Sequence, residues 1–312
     1  MAERARRFGE AGDAVGARDL YAAALPLAIR AFGDDAPVTL TVRLNLAHWT
    51  WKAGDGQAAK SQFDALLPVL ERVSGPEDPD TLFVRSAHAR LVGDAGDPAR
   101  ARDELLSLVP VYERVLGPEH PDTLTARYSL AGWTGSAGDP ARARDELLSL
   151  VPVYERVLGP EHPDTLSALY GVAHWSRETG NVADAMARLR ALVPVQERVC
   201  GAEDSRTLTT RRSLAYWTGL AGDPAEARDE YAALVPVLER LRGAEDPDTL
   251  SARRSLARWT GVAGDPTAAH GQLVALLADL ERVRGADHPD TVAARSDLAA
   301  WAEESGAAGD RE

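Results

Sequence analysis

The sequence predicts an all-α fold in which antiparallel helix pairs stack as an α–α superhelix of about seven 42-residue repeats. A loop that contains a glycine, an acidic residue and a threonine recurs every 42 residues, and residues 97–124 return unchanged as residues 139–166. Between the loops, apolar residues follow the 3.6-residue period of a helix, and we expect about fifteen helices. The loops begin at Gly33, Gly75, Gly117, Gly159, Gly201, Gly243 and Gly285.

The first helix of each repeat starts directly after this loop. In the repeat that begins at Gly117, Pro121 suits the first helical position, where the missing N–H would be unpaired in any case. Asp122 favours the positive end of the helix dipole. Gly138 can take the left-handed conformation that ends a helix. The sequence therefore predicts a first helix that starts near Pro121 and ends at Gly138.

The second helix follows after a tight turn. Asp139 is a good N-cap residue and Pro140 suits the first helical position. The same Gly-Asp-Pro arrangement recurs at Gly96, Gly222 and Gly264. One alanine of the second helix never varies between repeats, which indicates that two helices approach closely there. It occurs as Ala17, Ala59, Ala101, Ala143, Ala185, Ala227 and Ala269.

A tryptophan stripe marks the face of the first helices that we expect in the core. Val42, Leu46, Trp49 and Ala53 fall at helical spacing, and Leu91 is the single residue that replaces the tryptophan. The stripe predicts that Trp175→Ala costs roughly 3–5 kcal/mol as a large core deletion. The recurring tryptophans are Trp49, Trp133, Trp175, Trp217, Trp259 and Trp301.

Composition excludes several classes of protein. The chain has 312 residues, of which 45% are hydrophobic and 27% charged, as in an ordinary folded protein. A net charge of −13 disfavours nucleic acid as the main partner. We expect no membrane association, because no apolar run is long enough for a span and the first residues lack the apolar core of a signal peptide. The only cysteine, Cys200, fits a reducing compartment, and a cytoplasmic location is expected.

The residues give little support to catalysis, and we expect no enzyme activity, no cofactor and no metal. The best catalytic candidate is His120, which lies between Glu119 and Asp122. The histidine place is occupied by Asp78 or Asp204 in other repeats, so helix capping is the preferred interpretation. No nucleotide-binding glycine loop, zinc-protease pattern or Cys-x-x-Cys pair occurs in the sequence.

These repeats resemble the tetratricopeptide repeat, and more specifically its kinesin-light-chain subtype. The likeness rests on the helix pair with Leu-Ala early in the first helix, Gly-Asp at the turn and the invariant alanine. An aromatic residue or leucine follows the alanine by four positions, as at Tyr21 and Leu105. The 42-residue period and the Gly-x-x-His-Pro-Asp-Thr-Leu loop indicate the subtype. The resemblance implies a right-handed superhelix whose first helices line a groove that holds extended peptides.

The constant spacing gives the expected domain boundaries. Residues 1–305 form one array, with a truncated first repeat at residues 1–32 and a capping helix at residues 285–305. Residues 306–312 are expected to be a disordered tail. The complete repeats are residues 33–74, 75–116, 117–158, 159–200, 201–242 and 243–284.

The face of the first helices opposite the core stripe varies between repeats, as expected of a binding surface. Tyrosine and arginine are enriched in binding hot spots. Glycines one turn further on, such as Gly93 and Gly219, are expected to leave open floor, and Trp51 is expected to point into the groove and contribute little to stability. The candidate peptide-binding residues are Leu44, His48, Trp51, Arg90, Tyr128, Tyr170, His174, Arg177, Arg212, Tyr216, Arg254 and Arg258.

The sequence favours a non-enzymatic scaffold that binds a protein or peptide. The partner is expected to carry acidic residues or a free C-terminal carboxylate, because Arg212, Arg254 and Arg258 present guanidinium groups beside Tyr216. A sensor arm of a larger signalling or transcription-regulatory assembly is the alternative, and a hydrolase on a helical scaffold is the least favoured reading. The sequence does not identify the partner, the pathway or the oligomeric state.

Overall fold

The computed structural model describes residues 13–309, with side chains up to residue 302. These residues form fourteen α-helices and no strand, which confirms the predicted all-α repeat fold. The part of the predicted truncated first repeat that falls on residues 1–12 lies outside the described residues. The helices divide into two compact units, one that ends at Val157 and one that begins at Leu158.

The first unit contains the first seven helices. They are α1 Ala14–Phe32, α2 Pro37–Lys52, α3 Gly56–Val73, α4 Pro79–Asp94, α5 Pro98–Val115, α6 Pro121–Ser136 and α7 Pro140–Leu158, whose last residue belongs to the second unit. From α1 to α6, each helix packs against the next along the chain. The first helices α4 and α6 also contact each other directly.

The second unit contains the remaining seven helices. They are α8 Pro163–Glu178, α9 Val182–Val199, α10 Ser205–Leu220, α11 Pro224–Arg242, α12 Pro247–Val262, α13 Pro266–Arg284 and α14 Pro289–Gly309. Successive helices pack against each other, and the first helices α10, α12 and α14 also form direct contacts. Helix α14 extends beyond residue 305, so the tail predicted to be disordered from residue 306 is helical up to Gly309.

The helix ends confirm the helix start and stop residues predicted from the sequence. The Asp139 carboxylate accepts a hydrogen bond of 3.1 Å from the backbone N–H of Arg142 at the start of α7. Gly138 has a φ of 105°, which only glycine adopts without strain. His120 accepts a hydrogen bond of 3.2 Å from the backbone N–H of Asp122. The histidine is therefore an N-cap, as Asp78 is at the equivalent place.

A second set of contacts joins each loop to the helices that surround it. The Thr165 hydroxyl donates to the carbonyl of Gly159 at 2.8 Å, and Thr39 does the same to Gly33 at 2.7 Å. In six repeats an arginine near the end of the second helix pairs with an acidic residue of the loop 37 residues earlier. The pairs are Arg72–Asp35, Arg114–Glu77, Arg156–Glu119, Arg198–Glu161, Arg240–Glu203 and Arg282–Glu245.

The invariant alanines are fully buried in all seven second helices, as predicted for a close helix crossing. The tryptophan stripe is only partly as predicted. Trp217 and Trp259 are buried, and Leu91 replaces the tryptophan in a buried place, but Trp49, Trp133, Trp175 and Trp301 are half-buried. Trp175, which the sequence placed in the core stripe, is therefore only half-buried, and the cost of Trp175→Ala stays a prediction.

The orientation of the indole rings explains this difference. A Cβ on Gly93 would lie 2.6 Å from the Trp133 ring, so the ring lies directly over a glycine of the preceding first helix. Trp259 covers Gly219 and Trp301 covers Gly261 in the same way. The stripe thus joins neighbouring repeats rather than filling the space between the two helices of one repeat.

One pair of repeats uses the reverse arrangement. Trp51 stands where later repeats have the covered glycine, and Leu91 stands where they have the covering tryptophan. Trp51 is half-buried and packs against the core cluster that contains Leu91. A large residue on one helix is thus matched by a smaller one on the next.

We predict that Gly219→Ala destabilises the protein. The added methyl group would lie 2.7 Å from the Trp259 ring, and such overpacking costs about 1–3 kcal/mol, more than the roughly 0.5–1 kcal/mol that alanine gains over glycine in a helix. Chemical denaturation followed by circular dichroism measures the change. Gly132→Ala is the matched control, because no heavy atom lies within 4 Å of its Cβ position. The control should be more stable than wild type, and equal effects at both sites would contradict the stacking.

We also predict that Trp133→Leu partly rescues Gly93→Trp, because together they reproduce the Trp51–Leu91 arrangement. Each single change should be destabilising, the first by leaving a cavity and the second by a clash with the indole. A double-mutant cycle of unfolding free energies should give a favourable coupling of about 0.5–3 kcal/mol. Additive losses would show that the two positions do not compensate each other.

Candidate binding surface on the first helices

The twelve candidate residues lie on the first helices α2, α4, α6, α8, α10 and α12. We refer to these twelve side chains as the first-helix surface. Eleven of them are half-buried, and Arg258 is exposed. All are therefore reachable from solvent. The structure brings them together in two groups, one in each unit.

The glycines next to this surface do not provide the open floor that the sequence predicted. Gly93, Gly219 and Gly261 are covered by tryptophan rings, as described above, and Gly135 is buried. An unfilled place occurs instead at Gly132, where no heavy atom lies within 4 Å of a built Cβ. The prediction failed because an open position on one helix is filled by a side chain from the next repeat.

In the first unit, the surface is built around Trp51. The guanidinium carbon of Arg90 lies 4.7 Å from the centre of the Trp51 ring, and the Lys52 ammonium lies 5.7 Å from it. Leu44 and Trp51 both pack against the core. Trp51 is thus a packed residue as well as a surface residue, which the sequence did not predict, and its small contribution to stability stays a prediction.

His48 lies next to this aromatic group. Its ring is 5.1 Å from Trp49 and 5.8 Å from Phe83, measured between ring centres. Burial, with smaller effects from Lys52 and Arg90, lowers the pKa of His48 to about 4. The imidazole is therefore neutral at pH 7 and adds no positive charge to the surface.

The charges around Arg90 are only partly compensated. Burial lowers the pKa of Arg90, and Asp94 and Tyr128 act in the opposite direction. Burial raises the pKa of Asp94 more than Arg90 lowers it. The pKa of Lys52 is lowered by loss of hydration and by Arg90. Among the described residues, neither Lys52 nor Arg90 forms an ion pair.

In the second unit, the first helix contributes aromatic residues to the surface. The Tyr170 hydroxyl lies 2.9 Å from the Ser213 hydroxyl, and the Tyr170 ring stacks on His174 at 6.3 Å. Burial is the largest cause that lowers the pKa of His174. Arg177 pairs with Glu178 and lies 5.7 Å from the Trp217 ring.

Two of the three arginines expected to meet an acidic ligand are already paired within the chain. Arg212 donates to Asp248 at 2.7 Å, and Arg254 donates to Asp297 at 2.7 Å. Burial opposes ionisation of Asp248, but Arg212 and Arg242 hold the pKa of its carboxyl below the usual value. Arg212 and Arg254 therefore form bridges between neighbouring first helices, which the expectation from the sequence did not include.

Arg258 differs from both. Its guanidinium lies 5.2 Å from the centre of the Trp259 ring and 6.0 Å from that of Tyr216. Tyr216 in turn makes an edge contact with Trp259 at 5.8 Å. Within the described part of the chain, Arg258 pairs with no carboxylate. Of the three predicted arginines, it is the one free to meet an acidic ligand.

Other parts of the described chain give weaker evidence for a ligand site. Cavities of about 210 and 270 Å³ occur at equivalent positions of two adjacent repeats, beside Arg43 and Arg85. Their recurrence marks them as crevices of the repeat itself. Within residues 13–302, no group of histidine, cysteine and acidic side chains could hold a metal ion. No described helix is both long and apolar enough to cross a membrane.

Sequence reasoning missed Lys52, Asp248 and Asp297. Lys52 could have been noticed, because it is one of only two lysines and its equivalents in the other repeats are never basic. The two aspartates give no such signal, since their partners lie 36 and 43 residues away in sequence.

Comparison with known proteins places these observations in a family. A model of the tetratricopeptide repeat matches residues 39–80, 89–122, 123–164 and 249–290, together just over half of the chain. No curated protein matches the sequence.

Solved structures share the fold at low sequence identity. A Podosopora anserina protein described as a kinesin light chain with nearly identical TPR-like repeats is 22% identical, with a TM-score of 0.51, and covers 66% of this chain and 98% of its own. BtubC (BKLC) from P. vanneervenii is 15% identical, with a TM-score of 0.57, and covers 80% of this chain and 94% of its own. The quorum sensor NprR from B. thuringiensis is 12% identical, with a TM-score of 0.63, and covers 93% of this chain and 80% of its own.

The helix pairs, the 42-residue loops and the family match agree: the chain belongs to the tetratricopeptide repeat family, and it shares its fold with kinesin-light-chain-like repeats.

Proposed function

We propose that this protein is a non-enzymatic scaffold that holds an extended peptide, or a peptide segment of a protein, on its first-helix surface. Tetratricopeptide repeats generally act as protein-interaction scaffolds, and the finer assignment rests on one observation. The helix-forming and stacking residues repeat almost unchanged, whereas the first-helix surface differs from repeat to repeat and carries half-buried tyrosine, histidine and arginine side chains. Positions that no structural rule fixes are free to specify a ligand.

The charge of the surface supports an acidic ligand. Arg258 lies over Tyr216 without a carboxylate partner among the described residues, and a guanidinium binds carboxylates with well-defined geometry. Tyr216 supplies a rigid apolar wall at small entropic cost. The proposed ligand therefore has an acidic side chain or a free C-terminal carboxylate. The paired Arg212 and Arg254 would orient the helices rather than bind it.

The proposed domain organisation, location and partner class follow from the sequence. The array from residue 1 to 305 would act as a single domain, with residues beyond it outside the binding surface. The single Cys200 fits a reducing compartment, so the proposed location is the cytoplasm. The net charge of −13 supports protein or peptide partners over nucleic acid.

A regulatory role is the second candidate. Structural relatives include a Rap protein complexed with competence and sporulation factor, at 11% identity, and the quorum sensor NprR. In this alternative, the chain would be the sensor arm of a larger assembly and the same surface would bind the signal. Co-purification of a stable nucleotide-binding or DNA-binding partner would favour the sensor arm over a free-standing adaptor.

We predict that peptides selected from a random library with free C-termini bind through Arg258 and Tyr216. Arg258→Gln and Tyr216→Ser should each weaken the selected peptides by about five- to thirty-fold, as expected for hot-spot residues. Affinity should also fall with added salt, because exposed charges are screened. Fluorescence anisotropy with labelled peptides measures both effects.

Arg228→Gln is the matched control. Arg228 lies on the second helix α11 and, among the described residues, forms an ion pair with its neighbour Asp229 alone. Its loss should therefore change affinity by less than about twofold, within the range of surface pairs. Selected peptides that bind all three variants equally well would place the binding surface elsewhere. A library that gives no binder would contradict the peptide-binding function.

A further inference from the structure

The end of α2 and the last turns of α4 place two positive charges over one indole. Trp51 and Lys52 are the final residues of α2, and Arg90 lies on α4. The Arg90 guanidinium carbon is 4.7 Å and the Lys52 ammonium 5.7 Å from the centre of the Trp51 ring. Both cations thus lie against the same indole ring, which provides an apolar wall.

Positive charges outnumber negative charges around the Trp51 ring. Asp94, one turn after Arg90, is the acidic group that acts on the guanidinium, and Lys52 has no acidic partner among the described residues. The other lysine, Lys60, pairs with Asp64 at 2.8 Å. Because His48 is neutral, two positive charges and one negative charge leave one positive charge uncompensated. A singly charged carboxylate would neutralise it, whereas a doubly charged phosphate would reverse the imbalance.

The patch is not part of the repeating framework. The loop pairs, such as Arg114–Glu77, recur in six repeats and serve the fold. Lys52 has no basic counterpart, since the equivalent residues are Asp94, Ser136, Glu178, Leu220 and Val262. Burial disfavours the ionised forms of both Lys52 and Arg90, and the charge of Arg90 adds to this effect on Lys52. The repeating framework therefore does not account for Lys52 and Arg90, although Trp51 itself packs against the core.

We propose that Lys52 and Arg90, held over Trp51, form a carboxylate-binding subsite for an acidic peptide. This proposal rests on the proposed function and extends it to the first unit, whereas the sequence placed the charged contacts in the later repeats. The Arg90 fork would bind the carboxylate oxygens and the Lys52 ammonium would donate to the same group, while Trp51 keeps both side chains in place. The carboxylate would belong either to an acidic side chain or to a free C-terminus.

Fluorine NMR of protein labelled with 5-fluorotryptophan tests the subsite. Trp51→Phe identifies the Trp51 resonance among the seven tryptophans. Acetylated tetraglutamate should shift this resonance saturably, and tetraglutamine should not. The peptide with a C-terminal amide separates the two sources of carboxylate, because binding that requires the free acid assigns the subsite to a C-terminus. Retained binding of the amide assigns it to acidic side chains.

Variants establish which charges are responsible. Lys52→Gln and Arg90→Gln should each weaken tetraglutamate binding at least about fivefold, a typical loss for one charged hydrogen-bond partner. Lys60→Gln removes the other lysine and should leave the titration unchanged. Circular dichroism melting curves check that each variant is folded. If Arg90→Gln is unstable, Lys52→Gln still tests the subsite, because the Lys52 side chain lies at the surface.

A Trp51 resonance that does not respond to tetraglutamate, or that responds equally in Lys52→Gln, would overturn the subsite. Library peptides that still depend on Arg258 and Tyr216 would then leave the proposed function intact. Loss of both dependences would contradict the proposed function as well.

Discussion

The contact on which the remaining structure depends is the stacking of a first-helix tryptophan on a glycine of the preceding repeat. Glycine lacks a Cβ, so an indole can lie against the helix backbone, and Trp133 on Gly93 and Trp259 on Gly219 both use this space. A flat ring over a backbone has few alternative positions. The contact therefore fixes the distance and the register between neighbouring first helices within each unit.

This constraint explains why the period tolerates no insertion. A shift of one residue would move the ring from glycine onto a side chain, where no space exists. Two of the glycine places hold a larger residue instead, Trp51 and Arg177. Trp51 is matched by the smaller Leu91, whereas Arg177 meets an unchanged tryptophan and places its guanidinium 5.7 Å from the centre of the Trp217 ring. The loop threonines and arginine–acid pairs add repeated links around the same stacked helices.

With the framework fixed by these contacts, the residues between them are free to vary, and charge compensation separates them into two kinds. Arg212 and Arg254 bridge to Asp248 and Asp297 on the next first helix and serve the stack. Arg258 and Arg90 lie over aromatic rings without an ion pair among the described residues. Residues of one type on one helix face thus differ in role according to their partners.

The sequence by itself determined the period, the helix boundaries, the caps and the fold class, because these depend on interactions within a few residues. The Asp139 cap and the Gly138 turn, for example, depend only on the residues next to them in sequence. It also located the variable face of the first helices. Only the tertiary structure decided which tryptophans are buried, which glycines are covered and which arginines are neutralised. Those outcomes depend on partners about one repeat away, such as Asp297 for Arg254, and local spacing does not specify which long side chains meet across two helices.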